Sequence, residues 1–166
     1  MSKKRKPKPR EYPVTYISTV DRYSADYSFS VGPGHDYDPH PYSEHFSIQI
    51  DGVVKITTSA KVKLGTPVKI HIMGNVREVD EKFKPNGVGF MDSMKGYLNA
   101  IISLPPNSVH YLLSLLKSGK VEVVDLFGSE MKHRHSTIRS FRATTAFEWE
   151  DWKDAPPSKP EINSEK

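Results

Sequence analysis

The clearest pattern in the chain is the alternation in YSADYSFSV, residues 23–31. Tyr23, Ala25, Tyr27, Phe29 and Val31 take one parity, and Ser24, Asp26, Ser28 and Ser30 take the other. A period of two sends the two sets to opposite faces of a strand, so the apolar set is expected in the core. YPVTYISTV just before it has Val14, Tyr16 and Val20 in phase and is expected to pair with it across Asp21-Arg22. FSIQIDGVVKITTSA, residues 46–60, reads as a second hairpin that turns at Asp51-Gly52. Phe46, Ile48 and Ile50 share one face, and Val54 and Ile56 share another. For both sets to meet on one side, Ile50 has to lie opposite Val54, which demands a three-residue loop instead of the two-residue loop that Asp-Gly favours.

PVKIHIMG, residues 67–74, turns Val68, Ile70 and Ile72 inward. Residues 74–95 hold no phase: Val76 and Val79 disagree, and Pro85-Asn86-Gly87 signals a turn. YLNAIISL, 97–104, is apolar on both faces, as a central strand is. PPNSVHYLLSLLKSG, 105–119, switches the period, with Val109, Leu112, Leu113 and Leu116 at i, i+3, i+4 and i+7. This predicts one helix near 107–118, capped by Asn107 or Ser108 and closed by Gly119. KVEVVDLFG forms the next strand. The last runs over 131–149, with Phe141, Ala143, Thr145, Phe147 and Trp149 on one face; Ile138 breaks that phase, so a β-bulge is placed near Arg139-Ser140. The fold class is mainly β (α+β): an antiparallel β-sandwich or curved barrel of about eight or nine strands with one packed helix.

Composition separates this core from its ends. Residues 1–10, MSKKRKPKPR, hold Lys3, Lys4, Arg5, Lys6, Lys8 and Arg10 and no acid. With no apolar residue after Met1, the stretch cannot bury enough surface to fold. Residues 1–11 are therefore read as a disordered basic arm, 12–149 as a single β-rich globular domain, and 150–166 as a disordered, proline-containing tail. A chain of 166 residues accommodates one such domain. The formal charge of +4 comes from the arm: taking its six cations from the chain's 24 leaves 18 basic residues against 20 acidic ones. Affinity for an anion belongs first to the arm. The absence of cysteine removes disulfides, thiolate metal sites and a cysteine nucleophile. Without a signal-like or membrane-length apolar run, a soluble, cytoplasmic protein with no membrane partner is expected.

Candidate chemistry concentrates in KHRHSTIRSFR, residues 132–142. On an extended strand Lys132 and Arg134 point one way and His133 and His135 the other, and beyond the bulge Arg142 rejoins the solvent face. Lys132, Arg134 and Arg142 then form a phosphate-contacting set, unless the segment is only a solvated strand face or an edge guarded by charge. His133-x-His135 also puts two imidazoles on one face, a spacing suited to zinc or iron. GPGHDYDPHPYSEH, residues 32–45, adds His40 and His45 as potential ligands in a long loop, although three prolines describe a stiff surface loop equally well. Tyr37 and Tyr42 in that loop are exposed candidates for base stacking, whereas Tyr23 and Tyr27 are assigned to the core. There is no nucleophile elbow, no phosphate-cradling glycine loop and no His-Glu-x-x-His helix, so no catalytic residue and no cofactor is expected. The function that follows is a non-enzymatic binding or accessory module, associated with nucleic acid or another anionic partner through its arm. Two alternatives stand beside it: a protein-interaction or structural protein with a solubilising arm, and a small metal-dependent enzyme that uses the histidine-rich loop.

Overall fold

The computed structural model describes residues 13–31, 42–74 and 86–152. The arm, the greater part of the histidine-rich loop, residues 75–85 and the C-terminal tail lie outside them. In chain order the elements are β1 (Pro13–Thr19), β2 (Arg22–Val31), β3 (Tyr42–Thr57), β4 (Pro67–Gly74), β5 (Gly89–Ser93), β6 (Leu98–Leu104), α1 (Pro106–Lys117), β7 (Val123–Ser129) and β8 (His135–Thr144), followed by one turn of 3-10 helix (Trp149–Trp152). The sheet order is β1-β7-β8-β5-β6-β4-β3-β2, and β1 also pairs with β3. Seven strands therefore close into a barrel, and β2 is carried outside it. The expected curved barrel with one helix is what the chain forms. Seven of the eight strand pairings are antiparallel; β4 and β6 run parallel, because β6 enters between β4 and β5.

Neither N-terminal hairpin forms. β3 is one strand of 16 residues that runs straight through Asp51-Gly52. Phe46, Ile48, Ile50, Gly52 and Val54 all lie buried on one parity. The phase conflict met in the sequence disappears, since Ile50 and Val54 are on the same strand, four apart. β1 does not pair with β2. Instead the two follow one another along the same edge of β3, with Ile17 opposite Ile56 and Tyr23 opposite Ile50. Gly52 faces the junction between them: a Cβ there would lie 1.9 Å from the Thr19 carbonyl oxygen. Only glycine permits so close an approach of two backbones. The junction is fixed by the Val53 N–H donating to Thr19 Oγ1 at 3.1 Å and the Asp21 N–H donating to the Asp51 carbonyl at 2.9 Å.

β2 departs from expectation in its burial as well. All ten of its residues are exposed. Tyr23 and Tyr27 belong to the surface, not the core, with 38% and 57% of their area accessible. The reason is topological. Among the described residues, 42–46 of β3 pair only with β2, whereas 47–53 also pair with β4. The outer part of the β2–β3 ribbon thus lies beyond the described part of β4, and Tyr23, Tyr27 and Val31 keep much of their area accessible. Tyr27 meets the ring of Phe46 edge-on at 6.5 Å, and Phe46 stacks on His110 of α1 at 4.7 Å.

The helix lies where its apolar stripe predicts. It packs on β3 and β4 with Val109, Leu112 and Leu116 buried, while Leu113 is half-buried. Neither Asn107 nor Ser108 caps it. The N-cap is Pro105 and makes no side-chain cap bond; Pro106 follows inside the first turn, where its missing N–H costs nothing. Gly119 closes the helix with a φ of +68°, as the sequence predicts. The barrel interior is filled by Ile48, Ile50, Ile70, Ile72, Met91, Ile102, Leu126 and Ile138, each at most 1% exposed. The predicted bulge is present: Phe127 pairs with Ser140 and Gly128 with Ile138, which leaves Arg139 unpaired between them. β8 spans His135–Thr144, so the strand expected over 131–149 is shorter by four residues at its start and five at its end.

Candidate nucleic-acid interface

Strand direction sorts the loops into two ends. β3 leads to β4 through residues 58–66, β5 to β6 through 94–97, and β7 to β8 through 130–134. Registers place all three at one end: Val53 opposite Pro67, Val68 opposite Leu98, Ser93 opposite Leu98, and Asp92 opposite His135. Pro13, where the arm enters β1, pairs with Ser129 at this same end. Segments 58–66, 92–97 and 130–135 contribute the cations Lys61, Lys63, Lys95, Lys132 and Arg134 against the carboxylates Asp92 and Glu130. Among the described residues the opposite end, where α1 begins and β8 finishes, carries Asp21, Glu122, Asp125, Glu148 and Glu150 against Arg22, Lys117, Lys120 and Arg142. Among the described residues, cations outnumber carboxylates at the three-loop end and not at the other.

Lys132–His135 is not a strand face. It is the tight turn of the β7–β8 hairpin. The Lys132 N–H donates to the His135 carbonyl at 2.8 Å and the His135 N–H returns the bond at 2.9 Å. His133 and Arg134 occupy the two central positions with φ of 48° and 69°. This is the type I′ geometry that Asn-Gly normally supplies. Two non-glycine residues in that region cost about 1–2 kcal/mol each, and the neighbouring loop holds them there. The Arg134 carbonyl accepts from the Ser93 N–H at 2.8 Å, and Arg134 Nε donates to the Ser93 carbonyl, also at 2.8 Å. His135 Nδ1 hydrogen-bonds Asp92 at 2.7 Å, and its ring lies 5.5 Å from that of Phe90.

The other side of the turn is tied to the 58–66 loop. The Glu130 carboxylate accepts from Ser59 Oγ at 2.6 Å, the Ala60 N–H at 3.2 Å and the Met131 N–H at 2.9 Å. Lys61 Nζ donates to the Met131 carbonyl. Beneath this network Tyr16 is buried, with no hydrogen-bond partner for its hydroxyl among the described residues. Burial pushes its pKa up to about 12. The Glu130 charge adds to the rise, and the nearby Ser59 and Ser136 hydroxyls temper it without reaching bonding geometry.

Between the first two loops lies an open groove of about 380 Å³, lined by Lys61, Lys63, Leu64, Thr66, Ser93, Met94 and Tyr97 among others. Lys69 Nζ sits 5.4 Å from the centre of the Tyr97 ring. Leu64 and Met94 are 66% and 40% exposed. An aromatic ring, two apolar side chains and lysines at the margin are the parts a nucleotide-sized ligand uses, base against ring and phosphate against ammonium.

The proposed trio of phosphate contacts does not assemble. Lys132 and Arg134 belong to the turn. Arg142 lies farther along β8, opposite Asp125, and lines a separate groove of about 270 Å³ with Thr144, Phe147 and Glu148. Burial raises the Asp125 pKa and the Arg142 charge opposes that rise. The histidine set is dispersed too. His45 is exposed on β3 opposite Ser28, and β4, β6 and β5 separate it from β8; His40 lies outside the described residues. His133 and His135 occupy different positions of a turn and share no strand face. No group of three or more His, Asp or Glu capable of holding a metal occurs among the described residues. Lys3, Lys4, Arg5, Lys6, Lys8 and Arg10 fall outside them, as does Tyr37.

Lys61, Lys63 and Lys95 escaped sequence reasoning because they stand in unremarkable loops. Their only local signals are KVKLGT and MKGY. What joins them to Arg134 is the strand order, which no local pattern encodes. No protein-family model matches this chain, and no curated protein and no solved structure matches it.

Proposed function

We propose that this chain is a non-enzymatic module that binds nucleic acid, with the basic end of the barrel as the fixed contact surface and the N-terminal arm as an added, sequence-independent attraction. One observation carries the reading. Three loops and the start of β1 converge on one end, so Lys61, Lys63, Lys95, Lys132 and Arg134 surround the point where a segment with six further cations joins the fold. Arm and rim act on the same stretch of phosphates. The groove at Tyr97 favours a single strand, whose bases are free to leave their stack, over a duplex.

The test is fluorescence anisotropy with a labelled single-stranded oligonucleotide at several salt concentrations. For single strands each phosphate contact contributes about 0.7 to the slope of log K against log salt. Replacing Lys61, Lys63 and Lys95 together by Ala should lower that slope by about 2. Deleting residues 2–10 should lower it as well, and more uniformly across sequences. Arg142→Ala, on the far groove, should leave it unchanged. If the full chain does not bind single-stranded DNA or RNA at about 50 mM salt, where phosphate contacts are strongest, the reading fails.

A further inference from the structure

β2 is a ten-residue strand whose side chains are exposed throughout and which, among the described residues, pairs through one edge only. Edge strands are usually blunted by lysine, proline or a bulge. β2 has no lysine, no proline and no irregularity in its pairing with β3; its single cation, Arg22, is at its first position and bonded to Asp51 at 2.6 Å. Its apolar face presents Tyr23, Tyr27, Phe29 and Val31, between 38% and 65% exposed. Taking about 200 Å² for each aromatic side chain, this amounts to roughly 400 Å² per chain, within the range at which surface patches on monomers are commonly functional.

We infer that this edge pairs with β2 of a second copy of the chain, antiparallel about a two-fold axis through Tyr27. The sequence of β2 selects both the partner and the register. In a two-fold antiparallel pair, residues i and j of the two copies face each other when i and j have a fixed sum. With Tyr27 on the axis, Tyr23 faces Val31, Ala25 faces Phe29, and Tyr27 faces Tyr27 on the apolar side. On the polar side Ser24 faces Ser30 and Asp26 faces Ser28. Large residues meet small ones or rings, and no like charges meet. A slip by one residue in either chain sets the apolar face against the serines. An axis at Asp26 brings two carboxylates face to face. An axis at Ser28 shortens the described overlap to residues 25–31. Only the Tyr27 axis keeps both faces matched over residues 23–31. The patch is small beside the roughly 800 Å² per partner of a standard interface, so the dimer is expected to be weak, with dissociation in the micromolar range, and the main-chain bonds of the edge carry much of it.

The chain contains no cysteine, which makes cross-linking a clean test. Under mild oxidation Tyr27→Cys should give a disulfide-linked dimer, because residues directly opposite across an antiparallel pair have Cα atoms about 4.5–5.5 Å apart. Ser28→Cys and Asp26→Cys, each facing the other's position, should remain uncross-linked. Sedimentation of the native chain should show a monomer–dimer equilibrium that Tyr27→Lys, which sets two like charges on the axis, shifts to monomer with the circular dichroism unchanged. A native chain that stays monomeric up to several hundred micromolar, well above the expected dissociation constant, overturns the inference, as it would if the edge were covered by a segment of the same chain. Cross-linking through Ser28→Cys or Asp26→Cys in place of Tyr27→Cys overturns the register and with it the argument for self-pairing. Oligonucleotide binding by the Tyr27→Lys variant is expected to persist, so the loss of one surface does not imply the loss of the other.

Discussion

Gly52→Ala is the sharpest test of how this fold is built. A Cβ at residue 52 would stand 1.9 Å from the Thr19 carbonyl oxygen and 2.9 Å from its carbon. Both are backbone atoms, so no side-chain rotation relieves the clash. The β1–β2 junction has to retreat by about 1 Å, an overpacking cost of about 1–3 kcal/mol. The retreat also strains two hydrogen bonds, Val53 N–H to Thr19 Oγ1 and Asp21 N–H to the Asp51 carbonyl, each with a net contribution of about 1 kcal/mol. A loss near 3 kcal/mol is expected. Urea unfolding should show it as a lower midpoint at unchanged slope, and for a domain of this size it corresponds to a melting temperature lower by roughly 10 °C. Gly52→Asn provides the discriminating control. If residue 52 occupied the left-handed position of a hairpin turn, Asn would be tolerated better than Ala. At a close approach inside a strand Asn is no better, since it brings the same Cβ and more. An Ala variant within about 0.5 kcal/mol of the native chain, or an Asn variant that recovers most of the loss, would refute the continuous β3.

Three further outcomes can be checked by the same unfolding experiments. Leu116→Ala should cost about 2–4 kcal/mol because its side chain is fully enclosed, and half-buried Leu113→Ala should cost clearly less. Tyr16 has a folded pKa near 12 against an ordinary value of 10.0, so its neutral form is favoured by folding; the stability it contributes is intact below pH 10 and lost between pH 10 and 12, by up to about 2–3 kcal/mol. Tyr16→Phe should flatten that window and be neutral or slightly stabilising at pH 7, since the deleted hydroxyl leaves no partner unpaired; a large loss at pH 7 would disprove this account. Replacing His133 and Arg134 by Asn and Gly should stabilise the hairpin by about 1–2 kcal/mol through relief of positive-φ strain, while oligonucleotide affinity falls with the loss of the Arg134 charge.

The reach of the sequence can be judged residue by residue. The helix was legible because Val109, Leu112 and Leu116 repeat at its period and Gly119 ends it. The bulge at Arg139 was legible because Ile138 and Phe141 cannot share one face of a regular strand. β2 misled because its alternation is real but does not say which layer will cover it; among the described residues only 47–53 of its partner β3 also pair with β4. Asp51-Gly52 misled because a glycine demanded by a neighbouring backbone looks the same in sequence as a glycine demanded by a turn. His133-Arg134 misled in the opposite direction, as a type I′ turn without asparagine or glycine. Of the candidate site, Lys132 and Arg134 were named from local charge. Arg142 was grouped with them by an extended-strand assumption that the turn removes. Lys61, Lys63 and Lys95 reach the same rim through pairings between distant strands.

The closure of the barrel bears on how the chain acquires its structure during synthesis. β1 is the first strand made, yet one of its edges waits for β7, and the exposed edge of β5 waits for β8. Until residues 123–144 have left the ribosome, the nascent sheet keeps two open edges and an uncovered apolar interior. The final hairpin then enters between the two waiting strands, so closure pairs segments more than a hundred residues apart, a topology that folds slowly and exposes its intermediates to aggregation. The Lys132–His135 turn joins the two strands of that hairpin, and its positive-φ residues gain their bonds to Ser93 only when the hairpin lies beside β5. The turn's strain is thus met by the same docking that closes the sheet, so closure and the left-handed backbone of His133 and Arg134 are expected to form together.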